Sequence, residues 1–256
     1  MPTPAFDLSG KVAIVTGGNG GIGLGMAQGL ADAGSAIAVV GRNEAKSKAA
    51  AEGLKQRGVK AIAVTADVTD KAAVAAMAER TVRELGRIDI LVNNAGINIR
   101  KPPHTLELGE WDSVIATNLT SAFLCSQAAY PAMKAAGGGK IINIGSMMSI
   151  FGASFAPAYA ASKGGIVQFT RSCACAWAKD NIQANAILPG WIDTDLTKRA
   201  REEIDGLHDR VLARTPAARW GAISDFAGIA VFLASPASDF VTGTAIPVDG
   251  GFSIMG

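Results

Sequence analysis

The chain has 256 residues, of which 49% are hydrophobic and 18% are charged, and its formal net charge is +2. This composition supplies a substantial core and excludes a disordered chain, which needs low hydrophobicity and high net charge. No block of Lys and Arg indicates a nucleic-acid surface. The three cysteines, Cys125, Cys173 and Cys175, have no zinc-ligand spacing. We interpret them as buried thiols of a protein in a reducing compartment.

One uncharged run, from Ile141 to Ser162, is nominally long enough to span a bilayer. Asn, Gly, Ser and Pro residues are scattered through it, which favours a strand, a loop and the start of a helix instead. Residues 1–10 include Asp7 and lack the apolar core of a secretory signal. We therefore predict a cytoplasmic globular protein with no membrane partner.

Short apolar runs alternate with longer stretches of helical periodicity along the chain. We predict strands at Val12–Thr16, Ile37–Val40, Ala61–Thr65, Ile88–Asn93, Lys140–Ile144, Gln183–Leu188 and Ala245–Val248. We predict helices at Gly21–Ala33, Glu44–Arg57, Lys71–Leu85, Trp111–Ala136, Pro157–Asp180 and Asp225–Leu233. Most of the strands are continuous apolar runs, which indicates a parallel sheet covered on both faces. The alternation predicts one doubly wound α/β domain over residues 1–256, in which residues 190–216 form a substrate lid.

A glycine-rich turn, Thr16-Gly17-Gly18-Asn19-Gly20-Gly21-Ile22-Gly23, follows the first predicted strand and opens a helix. Its glycines permit a tight turn and let the backbone approach a pyrophosphate, which the N–H groups at the helix start attract. A flexible loop without a ligand is the alternative. After the second strand no acidic residue occurs before Glu44, so Arg42 is available to a 2′-phosphate. This pattern predicts NADP, with NAD possible if Arg42 is only a solvated residue at a helix start.

Tyr159 and Lys163 lie four residues apart in a predicted helix and therefore share one helix face. A neighbouring ammonium favours the phenolate form of a tyrosine, which makes Tyr159 a candidate acid–base catalyst. Ser146 closes the preceding strand, where its hydroxyl is available to hold a substrate oxygen. Taken alone, a Tyr/Lys pair at this spacing is more often a surface feature than a catalytic one.

Several ordered motifs together resemble those of the short-chain dehydrogenase/reductase family. They are the turn Thr16–Gly23, Asp67-Val68, Asn93-Asn94-Ala95-Gly96, Asn118, the set Ser146, Tyr159 and Lys163, Pro189-Gly190 with Thr194, and Asp249-Gly250-Gly251. The resemblance extends over nearly the whole chain. It implies a Rossmann-type doubly wound parallel sheet of about seven strands with helices on both faces. It also implies a homotetramer and hydride transfer between a nicotinamide and a secondary alcohol or ketone.

The resemblance assigns roles to individual residues. Ser146 binds the substrate oxygen, Tyr159 transfers the proton, Lys163 assists it, and Asn118 anchors a water that links Lys163 to solvent. The implied cofactor contacts are Gly17, Asn19, Gly21, Ile22, Gly23, Arg42, Asn43, Asp67, Val68, Asn94, Ala95, Gly96, Tyr159, Lys163, Pro189, Gly190, Ile192 and Thr194. Asp67 as a helix N-cap and Asn93 as a bridge between strands are the structural alternatives. Gly20 stands where many NADP-dependent relatives carry Arg or Lys, so the prediction of NADP depends on Arg42 alone.

The substrate is less well specified. Candidate contacts are Asn98, Arg100, Met148, Phe155 and Trp191. Asn98 and Arg100 suit a sugar acid or polyol, although an Arg is more often a surface charge, whereas Met and Phe side chains suit an apolar ketone. The chain resembles the gluconate and 2-deoxygluconate dehydrogenase branch, and 3-oxoacyl-carrier-protein reductases nearly as well.

A catalytically silent dinucleotide-binding sensor is the hypothesis from another class of protein. The intact set of Ser146, Tyr159, Lys163 and Asn118 argues against it. His104 and His208 have no metal-ligand partner at suitable spacing, so we expect both at the surface and predict no metal.

Overall fold

A sheet of seven parallel strands forms the centre of the protein. The structure, a computed structural model, describes residues 4–256. The strands are β1 (Val12–Thr16), β2 (Ala36–Gly41), β3 (Ala61–Thr65), β4 (Ile90–Asn93), β5 (Gly139–Ile144), β6 (Ile182–Pro189) and β7 (Ala245–Val248). Their order is β3-β2-β1-β4-β5-β6-β7, and all neighbours are parallel. The order reverses between β1 and β4, the point at which such sheets open a crevice at the carboxyl ends of the strands.

Helices cover both faces of the sheet, as the sequence predicts. They are α1 (Gly21–Asp32), α2 (Glu44–Lys55), α3 (Lys71–Leu85), α4 (Leu108–Ile115), α5 (Ser121–Ala135), α6 (Pro157–Trp177), α7 (Asp195–Glu203), α8 (Leu207–Arg214) and α9 (Ala227–Ala234). The bounds of α3 match the prediction because both ends carry local signals. Asp70 accepts hydrogen bonds from the first turn, and Gly86 ends the helix with a φ of 94°.

Two apolar clusters form the core, one on each side of the sheet. Ala13 and Val15 of β1 pack in the cluster that includes residues of α1, α2 and α9. Ile14, between them, packs in the cluster with residues of α3, α5 and α6. Because successive side chains of a strand point to opposite faces, burial of both faces favours apolar residues at most strand positions. The predicted doubly wound fold is confirmed.

The predicted helix Trp111–Ala136 is wrong as a single element. It consists of the C-terminal part of α4, a π-helical turn at Ala116–Thr120, and α5. In that turn the N–H of Ser121 donates to the carbonyl of Ala116, five residues earlier. Side-chain periodicity does not detect one wider turn between two regular helices. Such turns are frequent at functional sites, and this one carries Asn118.

Two further predictions are refined by the structure. Residues 190–216 contain α7 and α8, which bury a small apolar cluster of their own against Trp191 and Trp220.

Cys125 and Cys173 are buried free thiols, and burial raises the pKa of each to about 12. The prediction that all three thiols are buried is wrong for Cys175, which is exposed. Cys175 lies two residues after Cys173 and therefore on the opposite side of α6.

No helix within residues 4–256 is long and apolar enough to cross a membrane.

Candidate active site

The glycine-rich turn joins β1 to α1 at the carboxyl edge of the sheet. Gly17 and Gly21 have φ values of 63° and 51°, which glycine adopts without strain. A Cβ on Gly23 would collide with the carbonyl of Gly17 and the side chain of Asn94, so α1 can pack this closely only with glycine there. Gly20 has open space where a side chain would be, and no side chain caps the start of α1. Its first N–H groups are thus available to an anion.

The Asn94 side chain fixes this turn to the end of β4. Its Nδ2 donates to the carbonyls of Thr16 at 3.1 Å and Gly17 at 3.2 Å. In return, Thr16 Oγ1 accepts the N–H groups of Asn94 and Ala95. The turn and the β4 loop therefore form one rigid wall.

Asn93 has the structural role that the sequence left as an alternative. Its side chain is buried, and Nδ2 donates to Asn143 Oδ1 at 2.8 Å and to Ser126 Oγ at 3.0 Å. These bonds join β4 to β5 and to α5, inside the fold. Asn93 thus supports the neighbouring Asn94–Gly96 loop from below.

A cleft of about 390 Å³ follows this wall along the sheet edge. Eleven of the predicted cofactor residues line it: Gly17, Asn19, Gly21, Ile22, Arg42, Asp67, Val68, Asn94, Ala95, Gly96 and Thr194. An adjoining cavity of about 130 Å³ is lined by five more: Tyr159, Lys163, Pro189, Gly190 and Ile192. Gly23 and Asn43 line neither cavity. Gly23 packs beneath the turn, and Asn43 Oδ1 caps α2 by accepting the N–H of Lys46.

The outer end of the cleft, beside β2, is positively charged. Arg42 and Lys46 both line it. Asp67 Oδ1 accepts the backbone N–H and the hydroxyl of Thr69, and these bonds, with a smaller effect of Arg42, lower the pKa of Asp67. Asp70, not Asp67, caps α3, so the N-cap alternative for Asp67 is wrong. Lys46 is a site residue that sequence analysis missed.

At the inner end, Ser146 follows β5 and faces two side chains of α6. Lys163 Nζ donates to the carbonyl of Ile144 at 2.6 Å and lies 5.6 Å from the ring centroid of Tyr159. Burial lowers the pKa of Lys163 to about 8. Burial also raises the pKa of Tyr159, and its hydrogen bond with Ser146 and the charge of Arg100 offset this only partly. Burial therefore outweighs the effects that lower the pKa of Tyr159 in this structure.

Ser149, which the sequence analysis did not single out, connects these groups. Its Oγ donates to the carbonyl of Lys163 at 2.6 Å and accepts the N–H of Ser146 at 3.2 Å. The Ser146 hydroxyl in turn accepts the N–H of Met148 at 3.1 Å. The three-residue spacing of Ser146 and Ser149 is the signal of a capping box, which was available in the sequence.

Asn118 joins the β4 loop to α6 from the π-helical turn. Its Oδ1 accepts the N–H of Ile97 at 2.8 Å, and its Nδ2 donates to the Ile97 carbonyl and to Ser162 Oγ, each at 3.0 Å. Both amide N–H groups are thus bonded within the protein, and the role of Asn118 in anchoring a water stays a prediction. Its side chain acts here as a structural brace beside Lys163.

A second small cavity, of about 80 Å³, adjoins Ser146 and Tyr159. All five predicted substrate contacts line it: Asn98, Arg100, Met148, Phe155 and Trp191. Arg100 is not a solvated surface charge, since its side chain is 14% exposed and donates to Glu203 at 2.8 Å and to the carbonyl of Leu196 at 3.1 Å. The Oδ1 of Asn98 is buried and has no hydrogen-bond partner among the described residues. The cavity therefore offers a buried acceptor beside a cation.

Aromatic contacts hold Trp191, which lines this cavity. The rings of Trp191 and Trp220 meet edge to face at 5.7 Å, and the Trp220 Nε1–H donates to His208 Nδ1 at 3.1 Å. Arg201 lies over the Trp220 ring at 4.4 Å. His208 and His104 are both exposed, as predicted.

Comparison with known proteins agrees with this arrangement. A short-chain dehydrogenase family model, described as enoyl-(acyl carrier protein) reductase, matches residues 17–253. A 2-dehydro-3-deoxy-D-gluconate 5-dehydrogenase of Escherichia coli (strain K12) is 46% identical over 98% of this chain and 99% of its own. A gluconate 5-dehydrogenase of Gluconobacter oxydans is 40% identical over 97% of each chain. The crystal structure of a gluconate 5-dehydrogenase from Burkholderia cenocepacia J2315, in complex with NADP and tartrate, has a TM-score of 0.93 at 41% identity and 98% coverage of both chains. The chain belongs to the short-chain dehydrogenase/reductase family.

Proposed function

We propose that the protein is an NADP-dependent oxidoreductase that interconverts a secondary alcohol and a ketone of a sugar acid. The observation that carries this proposal is the junction of two sites. The glycine-lined cleft ends at the cavity that holds Ser146, Tyr159 and Lys163, so a dinucleotide in the cleft meets a proton-transfer group. The relatives named above, which are gluconate-type dehydrogenases, support the same reaction class.

The residues of the cleft fit NADP. A Cβ on Gly17 would collide with the side chain of Asn94, so the phosphate-binding turn requires glycine there, and the uncapped start of α1 faces the same space. At the ribose end, Arg42 stands where an acid would favour NAD. When bound, NADP supplies or accepts the hydride at its nicotinamide ring.

The chain's own residues handle the proton and the substrate oxygen. The Ser146 hydroxyl accepts the N–H of Met148, so its own hydrogen is available to the substrate oxygen. The raised pKa of Tyr159 keeps its phenol protonated and able to donate a proton to a developing alkoxide. Lys163, charged below about pH 8, stabilises the phenolate that remains. In the oxidative direction the same groups accept the proton.

A sugar acid suits the polar side of the substrate cavity. The guanidinium of Arg100 matches a carboxylate, and the unpartnered Oδ1 of Asn98 can accept a hydroxyl hydrogen. A keto-acyl thioester offers no carboxylate to Arg100 and no hydroxyl hydrogen to Asn98, which favours the sugar acid over the acyl-carrier alternative. The relative that was crystallised with tartrate, a hydroxy dicarboxylate, supports this class.

The function is tested by measuring the oxidation of NADPH with three ketone substrates in separate assays. They are 5-keto-D-gluconate, the 5-keto form of 2-dehydro-3-deoxy-D-gluconate, and an acetoacetyl thioester. We expect turnover of a keto sugar acid and its loss in Tyr159→Phe. Turnover of the thioester alone would overturn the substrate class. If wild type and Tyr159→Phe both bind NADPH but are equally inactive on all substrates, the result would favour the catalytically silent sensor.

We further propose that the whole chain is one catalytic domain with residues 190–216 as its lid, and that it is a cytoplasmic homotetramer. Phe123 on α5 is half exposed and Phe240 before β7 is fully exposed, which supports contacts with further copies. The free cysteines support a reducing compartment. A monomer in light scattering at micromolar concentration would contradict the assembly.

A further inference from the structure

Lys46 lines the cofactor cleft four residues after Arg42, and the function proposed above leaves it without a role. It lies in the first turn of α2, where its N–H is held by Asn43 Oδ1 at 2.9 Å. The backbone position of Lys46 is therefore fixed by the cap, at a place where the residue lines the cleft. Arg42, one residue before that cap, lines the same end of the cleft.

Neither cation is held in an ion pair by the protein. Within residues 4–256, neither Arg42 nor Lys46 forms an ion pair. The acid between them, Glu44, pairs with Lys48 at 2.6 Å. Asp67, which also lines the cleft, accepts two hydrogen bonds from Thr69, and the charge of Arg42 contributes to lowering its pKa although the two form no ion pair. Two cations and one carboxylate thus line this part of the cleft and leave it with a net positive charge, which indicates a negatively charged ligand there.

We propose that Lys46 binds the adenosine 2′-phosphate of NADP together with Arg42, so that selection of NADP over NAD depends on two cations. The inference rests on the proposed NADP cofactor. A phosphate monoester carries about 1.5 to 2 negative charges at pH 7, more than one guanidinium neutralises. Arg42 supplies a planar, bidentate partner, and Lys46 supplies a point charge on a flexible stem. Lys46 takes the place of the basic residue that Gly20 does not provide.

The test is a titration with NADPH, NADH, 2′,5′-ADP and 5′-AMP, followed by fluorescence or calorimetry without substrate. Lys46→Ala and Lys46→Gln are compared with Lys55→Ala, which removes the same charge at the other end of α2. Nine residues of helix separate the two positions by about 14 Å, beyond the screening length of about 8 Å at physiological salt. Circular dichroism confirms that each variant is folded.

We expect both Lys46 variants to bind NADPH and 2′,5′-ADP about five- to tenfold more weakly, a change of roughly 1 kcal/mol. Their affinity for NADH and 5′-AMP should stay within about twofold, and Lys55→Ala should match wild type, as distant surface charges are screened. The role of Lys46 would be overturned if its variants lost no affinity for NADPH and 2′,5′-ADP. It would also be overturned if they lost as much affinity for NADH and 5′-AMP as for the two phosphorylated ligands. Wild type that binds NADH as tightly as NADPH would instead refute the NADP cofactor itself, before any variant is compared.

Discussion

Arg100 and Glu203 form an ion pair of 2.8 Å that joins the loop after β4 to the end of α7. Arg100 lines the cavity beside Ser146 and Tyr159, and it also donates to the Leu196 carbonyl. That cavity measures about 80 Å³, against roughly 300–1,000 Å³ for ordinary ligand pockets. The space beside Ser146 and Tyr159 is therefore small, and a substrate carboxylate would compete with Glu203 for the same guanidinium.

This competition predicts that Glu203→Gln lowers the KM for a sugar acid. Glu203 is half exposed, and partly exposed ion pairs contribute about 0.2–1 kcal/mol, so we expect a decrease of up to about fivefold. The kcat should change little because Glu203 does not touch the reacting groups. Glu202→Gln, an exposed neighbour, is the matched control for steady-state kinetics. A KM that stays constant or rises would show that Glu203 does not compete with substrate.

Removal of the Arg100 side chain should selectively weaken the binding of sugar acid substrates. We expect Arg100→Ala to raise the KM for a keto sugar acid by more than about tenfold, because a charge-assisted bidentate contact is lost. An uncharged keto sugar should be affected far less. Arg100→Lys should restore little, since an ammonium lacks the planar pair of donors. Equal losses for the charged and uncharged substrates would contradict a carboxylate contact.

Removal of the Ser149 hydroxyl is expected to slow the chemical step without weakening cofactor binding. In Ser149→Ala the N–H of Ser146 and the carbonyl of Lys163 lose their shared hydroxyl, so the turn that carries Ser146 is no longer tied to α6. We expect kcat to fall about tenfold, the cost of a loosened catalytic geometry. The Kd of NADPH should not change.

Two variants separate this role from a general loss of stability. Ser149→Thr keeps a hydroxyl and should recover most of kcat. Ser172→Ala, which removes an exposed hydroxyl bonded within α6, should behave like wild type. A parallel loss of NADPH affinity in Ser149→Ala would mean that the whole site is disturbed.

Local signals explain what the sequence predicts well. The turn Thr16–Gly23 and the helix α3 depend on residues close together in the chain, such as the cap Asp70 and the terminal Gly86. The strands are apolar because both faces are buried, so their bounds agree within two residues. Ordered motifs then locate Ser146, Tyr159 and Lys163.

The features that the sequence does not predict arise from contacts between distant segments. Glu203 meets Arg100 across 103 positions, and no local pattern pairs them. The direction of the Tyr159 pKa depends on burial, which adjacency to Lys163 does not reveal. Lys46 is one of many lysines in the sequence, and only the shape of the cleft distinguishes it.

The buried Lys163 is expected to lower the free energy of unfolding by an amount that depends on pH. Burial lowers its pKa from 10.5 to about 8, so below pH 8 the folded protein holds a buried ammonium that the unfolded chain leaves in water. Between about pH 8 and 10.5 the unfolded state binds more protons than the folded state. The free energy of unfolding therefore rises with pH across this window, and the penalty is absent above it.

Lys163→Met should consequently be more stable than wild type at pH 7, although inactive. A shift of this size corresponds to about 3 kcal/mol, reduced by roughly 1 kcal/mol for the lost hydrogen bond to Ile144. Urea unfolding of both proteins without cofactor at pH 7 and near pH 10 measures the difference. It should shrink at the higher pH, because wild type has by then lost most of the penalty while the variant has none to lose. A difference that is absent at pH 7, or that grows with pH, would mean that Lys163 is not destabilised by burial.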